Sequence, residues 1–207
     1  SKKIYIITAP PSATSEMLKK KKIFNSNKIK YLPDPVLKID EIQKKINNNS
    51  VIDKELSPKN SLISIGRLTP QKNFTFLINI FSKISKNHDN LNLFILGDGE
   101  EMNKLKKIVD ELNLNKKVFL VGFKENIYDY LKNSRLFILP SLWEDPGFVL
   151  LEAGYSNKTI LSSNCPNGPV EILENGKNGF LFESNSPKSF IEEFNKIYEE
   201  DQSTILK

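Results

Sequence analysis

Short runs of β-branched and other apolar residues alternate with amphipathic stretches along most of the chain. Residues 61–65 read as a buried strand that Gly66 ends. Thr69-Pro70 reads as a cap and helix start, with Pro70 in the first helical position. Phe74, Leu77, Ile78, Phe81 and Ile84 then recur at helical spacing and form one apolar face. Residues 91–96 read as the next strand, closed by Gly97-Asp98-Gly99, and Met102, Leu105, Ile108, Val109 and Leu112 mark a second helix. Strands at 118–121, 135–139, 159–162 and 179–182 follow, the last at an edge. Helices at 127–131, 147–155, 169–173 and 188–200 intervene or close the chain. This alternation predicts an α/β fold whose parallel sheet is covered on both faces. Right-handed crossovers make it a doubly wound, Rossmann-like sheet. In that architecture ligands sit beyond the carboxyl ends of the strands.

The first 35 residues differ. Strands at 4–8 and 29–32 flank a helix at 12–22, and Pro33-Asp34-Pro35 breaks the chain. Residues 38–49 read as helical, and Asn47-Asn48-Asn49-Ser50 as a linker. The expected division is therefore 1–35 as the end of a preceding domain, 36–60 as a connection and 61–207 as the main domain. No internal repeat is present.

Composition narrows the class. Of 207 residues, 39% are hydrophobic and 27% charged, which suits a globular core and argues against disorder. No apolar run approaches the roughly 18 residues of a membrane span. The opening residues lack both a signal-peptide pattern and an initiator Met, so the chain is expected to be part of a longer protein. The single Cys165 has no disulfide partner within the chain and fits a reducing cytosol, and the single His88 lies in a polar turn; neither reads as catalytic. The net charge is +5, and Lys19 to Lys22 form a run of four cations. Without interleaved aromatics that run reads as a solvated helix end, with a peripheral membrane contact as its alternative and nucleic acid disfavoured.

The candidate chemistry lies at strand ends. Gly66 lets the backbone leave the sheet sharply, and Arg67 and Lys72 then project cations toward a shared space. A diphosphate there would take charge-assisted hydrogen bonds from both, although two ordinary surface cations would give the same pattern. After the strand at 135–139 comes Ser141-Leu142-Trp143-Glu144-Asp145-Pro146-Gly147-Phe148-Val149-Leu150-Leu151-Glu152. A helix starting near Gly147 would offer the free N–H groups of Gly147, Phe148 and Val149 to an anion. It would place Glu152 in its second turn. Glu144 and Glu152 suit diol hydroxyls, because a carboxylate accepts two or more hydrogen bonds. A helix cap explains Glu144 and Asp145 as well, but it leaves Glu152 without a role.

Glu144 and Glu152, separated by seven residues, resemble the E-x7-E motif of the family 4 retaining glycosyltransferases and their GT-B-fold relatives. The stretch from Gly147 to Ala153 is similar as well. So are Gly66-Arg67-Leu68 with Lys72, Gly97-Asp98-Gly99, Val121-Gly122-Phe123, and Gly168-Pro169-Val170-Glu171 with Gly176 and Gly179. These motifs run in the family's order between residues 61 and 182.

The resemblance implies the C-terminal, donor-binding half of a GT-B fold. Arg67, Lys72 and Glu144 would be the catalytic set, with the two cations on the donor diphosphate and Glu144 on hydroxyls of the transferred sugar. Gly66, Gly147, Phe148 and Val149 would line the donor, Glu152 would hold the ribose, and Phe123 and Lys124 would lie beside the base. The donor would be a nucleotide-diphosphate sugar. The loop from Asn164 to Glu171 has no assigned role, but it is similar to segments of enzymes that use UDP-sugars. Retention implies front-face attack with the departing phosphate assisting deprotonation. Charge would be balanced without a metal or other cofactor. Asp98 and Glu100, which loosely resemble a metal-binding pair, read as a helix-capping turn. The acceptor would be a glycan or a lipid-linked sugar, met through an N-terminal domain of which 1–35 is the remnant. The setting would be cytoplasmic, at the inner membrane face. The truncated chain is expected to transfer sugar poorly. Two rivals remain: a non-catalytic sugar-nucleotide-binding module, and a dinucleotide oxidoreductase, whose G-x-G-x-x-G is missing its third glycine at Met102.

Overall fold

The computed structural model describes residues 7–9, 12–22, 25–31, 38–47 and 54–205. A first pair of strands, β1 (Ile7–Ala9) and β2 (Ile29–Tyr31), runs parallel around helix α1 (Ser12–Lys20). Helix α2 (Ile39–Asn47) follows. The break expected at Pro33-Asp34-Pro35 and the linker expected after Asn47 lie outside the described residues.

The main sheet has six strands: β3 (Ser61–Ile65), β4 (Asn92–Leu96), β5 (Val118–Gly122), β6 (Leu136–Leu139), β7 (Thr159–Ser163) and β8 (Phe180–Phe182). Their spatial order is β5-β4-β3-β6-β7-β8, and every neighbouring pair is parallel. The chain therefore starts in the middle, adds strands on one side, and returns across β3 to add them on the other. The crossover helices are α3 (Phe74–Ile84), α4 (Met102–Glu111), α5 (Tyr128–Lys132), α6 (Val149–Tyr155) and α7 (Pro169–Ile172), and α8 (Pro187–Ile205) closes the fold.

Strand alternation divides the core in two. Leu62, Leu93, Ile95, Leu136, Ile138 and Leu161 face the layer of α3, α4 and α8, where Phe81, Leu105, Phe190 and Phe194 are fully buried. Ile63, Phe94, Leu96, Phe137, Leu139 and Ile160 face the opposite layer with Leu131, Leu150 and Ala153. Successive strand side chains point to opposite faces, so both layers need apolar partners, which is why these strands are mostly apolar. Ile42 of α2 joins the second layer, so the segment expected as a connection contributes to the main core. The polar exceptions are satisfied: Ser64 Oγ on β3 donates to the Ile138 carbonyl on β6 at 2.6 Å.

Two helix starts differ from expectation. Thr69-Pro70 opens only a short 3₁₀ turn (Pro70–Lys72), and the α-helix begins at Phe74. Asn73 between them has φ +55°, a left-handed conformation that cannot continue a helix. Helix α6 begins at Val149 rather than near Gly147, because Gly147 has φ +89°. Glu152 therefore lies in the first turn of α6, not the second.

The turns after β3, β4 and β5 are laced together. Gly66 N–H donates to Leu96 O, Leu68 N–H to Asp98 O, and Gly97 N–H to Gly122 O, at 2.8–2.9 Å. A Cβ on Gly97 would sit 1.9 Å from Gly66 O, and one on Gly99 would sit 2.4 Å from Leu68 O. Gly97→Ala combines that clash with a positive φ of +138°. It should lower unfolding free energy by about 2 kcal/mol or more, read by chemical denaturation. An unchanged midpoint would contradict this packing.

Candidate functional site

The carboxyl ends of β3 and β6 diverge where strand order reverses, and the loops leaving them enclose a cleft of about 860 Å³. Gly66, Arg67, Lys72, Phe123, Lys124, Glu144, Gly147, Phe148, Val149 and Glu152 all line it. The ten residues singled out in the sequence are thus brought together in one place. A parallel sheet explains the location, since adjacent strands that send their chains to opposite sides leave a gap between the departing loops.

At the floor of the cleft, Lys72 Nζ and Glu144 Oε1 form an ion pair at 2.5 Å. The side chains are only 15% and 4% exposed. Ser141 Oγ donates to the same Oε1 at 2.5 Å. Among the described residues no hydrogen bond falls on Oε2. Arg67, by contrast, has no carboxylate within ion-pair distance among the described residues. One cation is thus engaged and the other available.

The loop carrying Glu144 is held from three directions. Leu142 N–H donates to Gln71 O, and Gln71 Nε2 donates to Trp143 O, each at 2.8 Å. Glu144 N–H donates to Pro166 O at 3.1 Å. Ser163 Oγ donates to Ser141 O at 2.6 Å. The loop from Asn164 to Glu171 therefore gains a structural role: it braces Glu144, and Gly168 lets it press so closely that a Cβ would lie 1.7 Å from Pro146 O. Beyond Glu144, the N–H groups of Gly147, Phe148 and Val149 donate to no backbone acceptor among the described residues. They form the open amino end of α6.

The far wall holds Glu152, which accepts a 3.5 Å hydrogen bond from Tyr128 Oη. Burial pushes its carboxyl above the usual carboxylate value, while Tyr128 and Lys45 act in the opposite sense. Burial, with the Glu152 charge beside it, pushes the Tyr128 phenol up to about 12. Lys38, just before α2, and Glu41, Ile42 and Lys45 of α2 complete this side, and Lys45 Nζ donates to Glu125 O at 3.3 Å. Phe123 stands 75% exposed at the rim. Lys124 Nζ lies 5.8 Å from the Tyr130 ring centroid.

Sequence reasoning missed Ser141, Gln71, Tyr128 and Lys45. Tyr128 reads as one apolar residue of a short helix, and Lys45 as one of many solvated lysines; neither carries a local signal. Where the rival dinucleotide reading needed its fingerprint, at Gly97-Asp98-Gly99, both glycines pack against the Gly66–Leu68 backbone. Asp98 Oδ1 accepts the Gly99 N–H at 2.8 Å, but the expected capping role does not appear, because α4 starts after Glu101 with no side-chain cap. Cys165 is buried, and burial raises its thiol; His88 packs 4.5 Å from the Tyr198 ring.

Chemically, the cleft offers a free guanidinium, an ammonium shared with a carboxylate, three bare amides and a second, half-buried carboxylate. That set can take an anion with hydroxyl-bearing groups on either side.

Residues 45–204 match the sequence family described as Glycosyl transferases group 1. The chain is 40% identical over 151 residues to an uncharacterised glycosyltransferase of Methanocaldococcus jannaschii, covering 71% of this chain and 36% of the relative. It is 34% identical over 186 residues to the Escherichia coli UDP-Gal:alpha-D-GlcNAc-diphosphoundecaprenol alpha-1,3-galactosyltransferase, covering 86% and 47%. The fold matches Staphylococcus aureus TarM, solved as a mutant with fondaparinux, alpha-GlcNAc-glycerol and UDP, at TM-score 0.78 and 21% identity over 93% of this chain and 36% of that one. It also matches Anabaena HepE in complex with UDP, at TM-score 0.75 and 20% identity over 96% and 55%. The chain thus spans about half or less of the curated relatives it matches.

The raised Glu152 carboxyl has a stability consequence. A carboxyl whose folded pKa exceeds its unfolded one favours the native state at low pH, and that contribution is lost as pH rises past it. Glu152→Gln should therefore raise the melting temperature at pH 7, with the gain shrinking as pH falls toward the ordinary carboxylate value of 4.5 and gone below it. A gain that grows on acidification would contradict the burial of this carboxylate.

Proposed function

Because the chain belongs to the Glycosyl transferases group 1 family, we propose that it forms the donor-binding half of a retaining glycosyltransferase using a nucleotide-diphosphate sugar, foremost a UDP-sugar. The observation that carries this reading is the convergence of Arg67, Lys72, the α6 amides, Glu144 and Glu152 on one cleft.

The spacing of groups supports the roles. Arg67 and Lys72 sit where a diphosphate would meet the open end of α6, so its charge is balanced by two side chains and aligned amides. As the sugar–phosphate bond breaks, that environment stabilises the departing diphosphate, and the rate comes from electrostatics and positioning. Lys72 has three donors and can keep one on Glu144 while turning another to phosphate. Glu144 then offers Oε2 to hydroxyls of the transferred sugar. Glu152 holds the ribose diol, and Phe123 and Lys124 flank the base beside it.

The acceptor side belongs to the part of the protein that precedes this chain's main domain. Residues 1–35 would be the end of that domain and 36–60 the connection, with α2 reaching back to wall the donor cleft. The Escherichia coli relative is named for a diphosphoundecaprenol-linked acceptor, which supports a glycan or lipid-linked acceptor here. It also supports a peripheral position at the cytoplasmic membrane face. No helix among the described residues is long and apolar enough to cross a membrane.

Titration with UDP tests the diphosphate assignment. Arg67→Ala should weaken binding about tenfold or more, the loss growing at low salt where charge is least screened. Unchanged affinity would defeat the assignment. Lys72→Ala is a less clean variant, since it also leaves Glu144 buried without its cation. Glu152→Ala should penalise UDP more than its 2′-deoxy analogue, and equal losses would remove the ribose role.

A further inference from the structure

We infer that Ser141 is a positioning residue for sugar recognition: its hydroxyl fixes Glu144 in the sugar-facing orientation while Lys72 is shared with the diphosphate. This rests on the proposed role of Glu144 at the transferred sugar.

Ser141 is 0% exposed and does not line the cleft, so it touches no donor itself. Its Oγ lies 2.5 Å from Glu144 Oε1, the same oxygen that receives the Lys72 ammonium. The two donors differ in how firmly they are held. Lys72 ends a flexible four-carbon stem with donors free to turn toward phosphate. Ser141 is set two residues after β6. Its carbonyl accepts from Ser163 Oγ at 2.6 Å and from Ser184 Oγ at 3.5 Å. Its one-carbon side chain has almost no reach to lose.

A bound diphosphate pulls on Lys72 and thereby loosens one of the two bonds on Oε1. Ser141 is what remains. With Oε1 pinned, Oε2 stays presented to the cleft, and the carboxylate meets sugar hydroxyls already oriented. Without the hydroxyl, Glu144 would follow Lys72 toward the phosphate. Nucleotide binding would survive while recognition of the sugar would not.

The discriminating quantity is the affinity for a nucleotide sugar relative to the bare nucleotide. The probes are UDP, UDP-glucose, UDP-galactose and UDP-N-acetylglucosamine, titrated by calorimetry or ligand-observed NMR against this chain, Glu144→Ala, Ser141→Ala and Ser141→Thr. For whichever UDP-sugar binds the parent tightest, Ser141→Ala should weaken the sugar nucleotide about tenfold while leaving UDP within about twofold. Ser141→Thr, which keeps the hydroxyl, should restore most of the loss. Equal losses for UDP and the UDP-sugar, no loss for either, or failure of Thr to restore binding in a variant that melts like the parent, would overturn the inference. If Glu144→Ala itself spares the sugar preference, the underlying reading of Glu144 fails and takes the Ser141 role with it. If Glu144→Ala abolishes the preference and Ser141→Ala does not, only the inference is lost.

Discussion

Lys72 and Glu144 meet across the point where the sheet reverses its strand order. One follows β3 and the other follows β6, so their ion pair spans the gap between two departing loops. Both charges are largely withdrawn from water, and such a pair gives back little net stability once desolvation is counted. Its value lies elsewhere. It keeps opposite charges a few ångströms apart at the floor of a cleft, one suited to phosphate and the other to hydroxyls. Arg67, Gly147–Val149 and Glu152 gain their meaning from their position around it.

The surrounding motifs are one another's packing partners more than separate ligand contacts. Gly97 and Gly99 exist as glycines because Gly66 and Leu68 lie against them. Gly168 exists as a glycine because Pro146 does. The first contact fixes the loop that carries Arg67, and the second fixes the loop that carries Glu144. A substitution at these glycines would move a charged group without touching any ligand, which ties backbone conformation directly to the chemistry of the cleft.

Much of this was legible in the sequence. Continuous apolar strands alternating with amphipathic helices implied the doubly wound sheet, and the same pattern put Arg67, Lys72, Glu144 and Glu152 at strand ends and helix starts. The family resemblance carried by the E-x7-E pair is matched by the Glycosyl transferases group 1 family over residues 45–204. What was not legible depended on contacts between distant residues. Propensity placed helix starts at Pro70 and Gly147, whereas left-handed φ at Asn73 and Gly147 moved both starts downstream. The Lys72–Glu144 contact, the Tyr128 hydrogen bond to Glu152 and the wall made by α2 join elements whose pairing no local pattern encodes.

The proposed function puts a nucleoside diphosphate in the cleft between the β3 and β6 loops. Backbone-amide NMR of the chain titrated with UDP reads that location directly. The largest shifts are expected at Arg67, Gly147, Phe148 and Val149, with smaller ones at Phe123 and Lys124. Shifts that spare these amides and gather instead along the groove between α4 and β5, near Lys106 and Asn115, would contradict it.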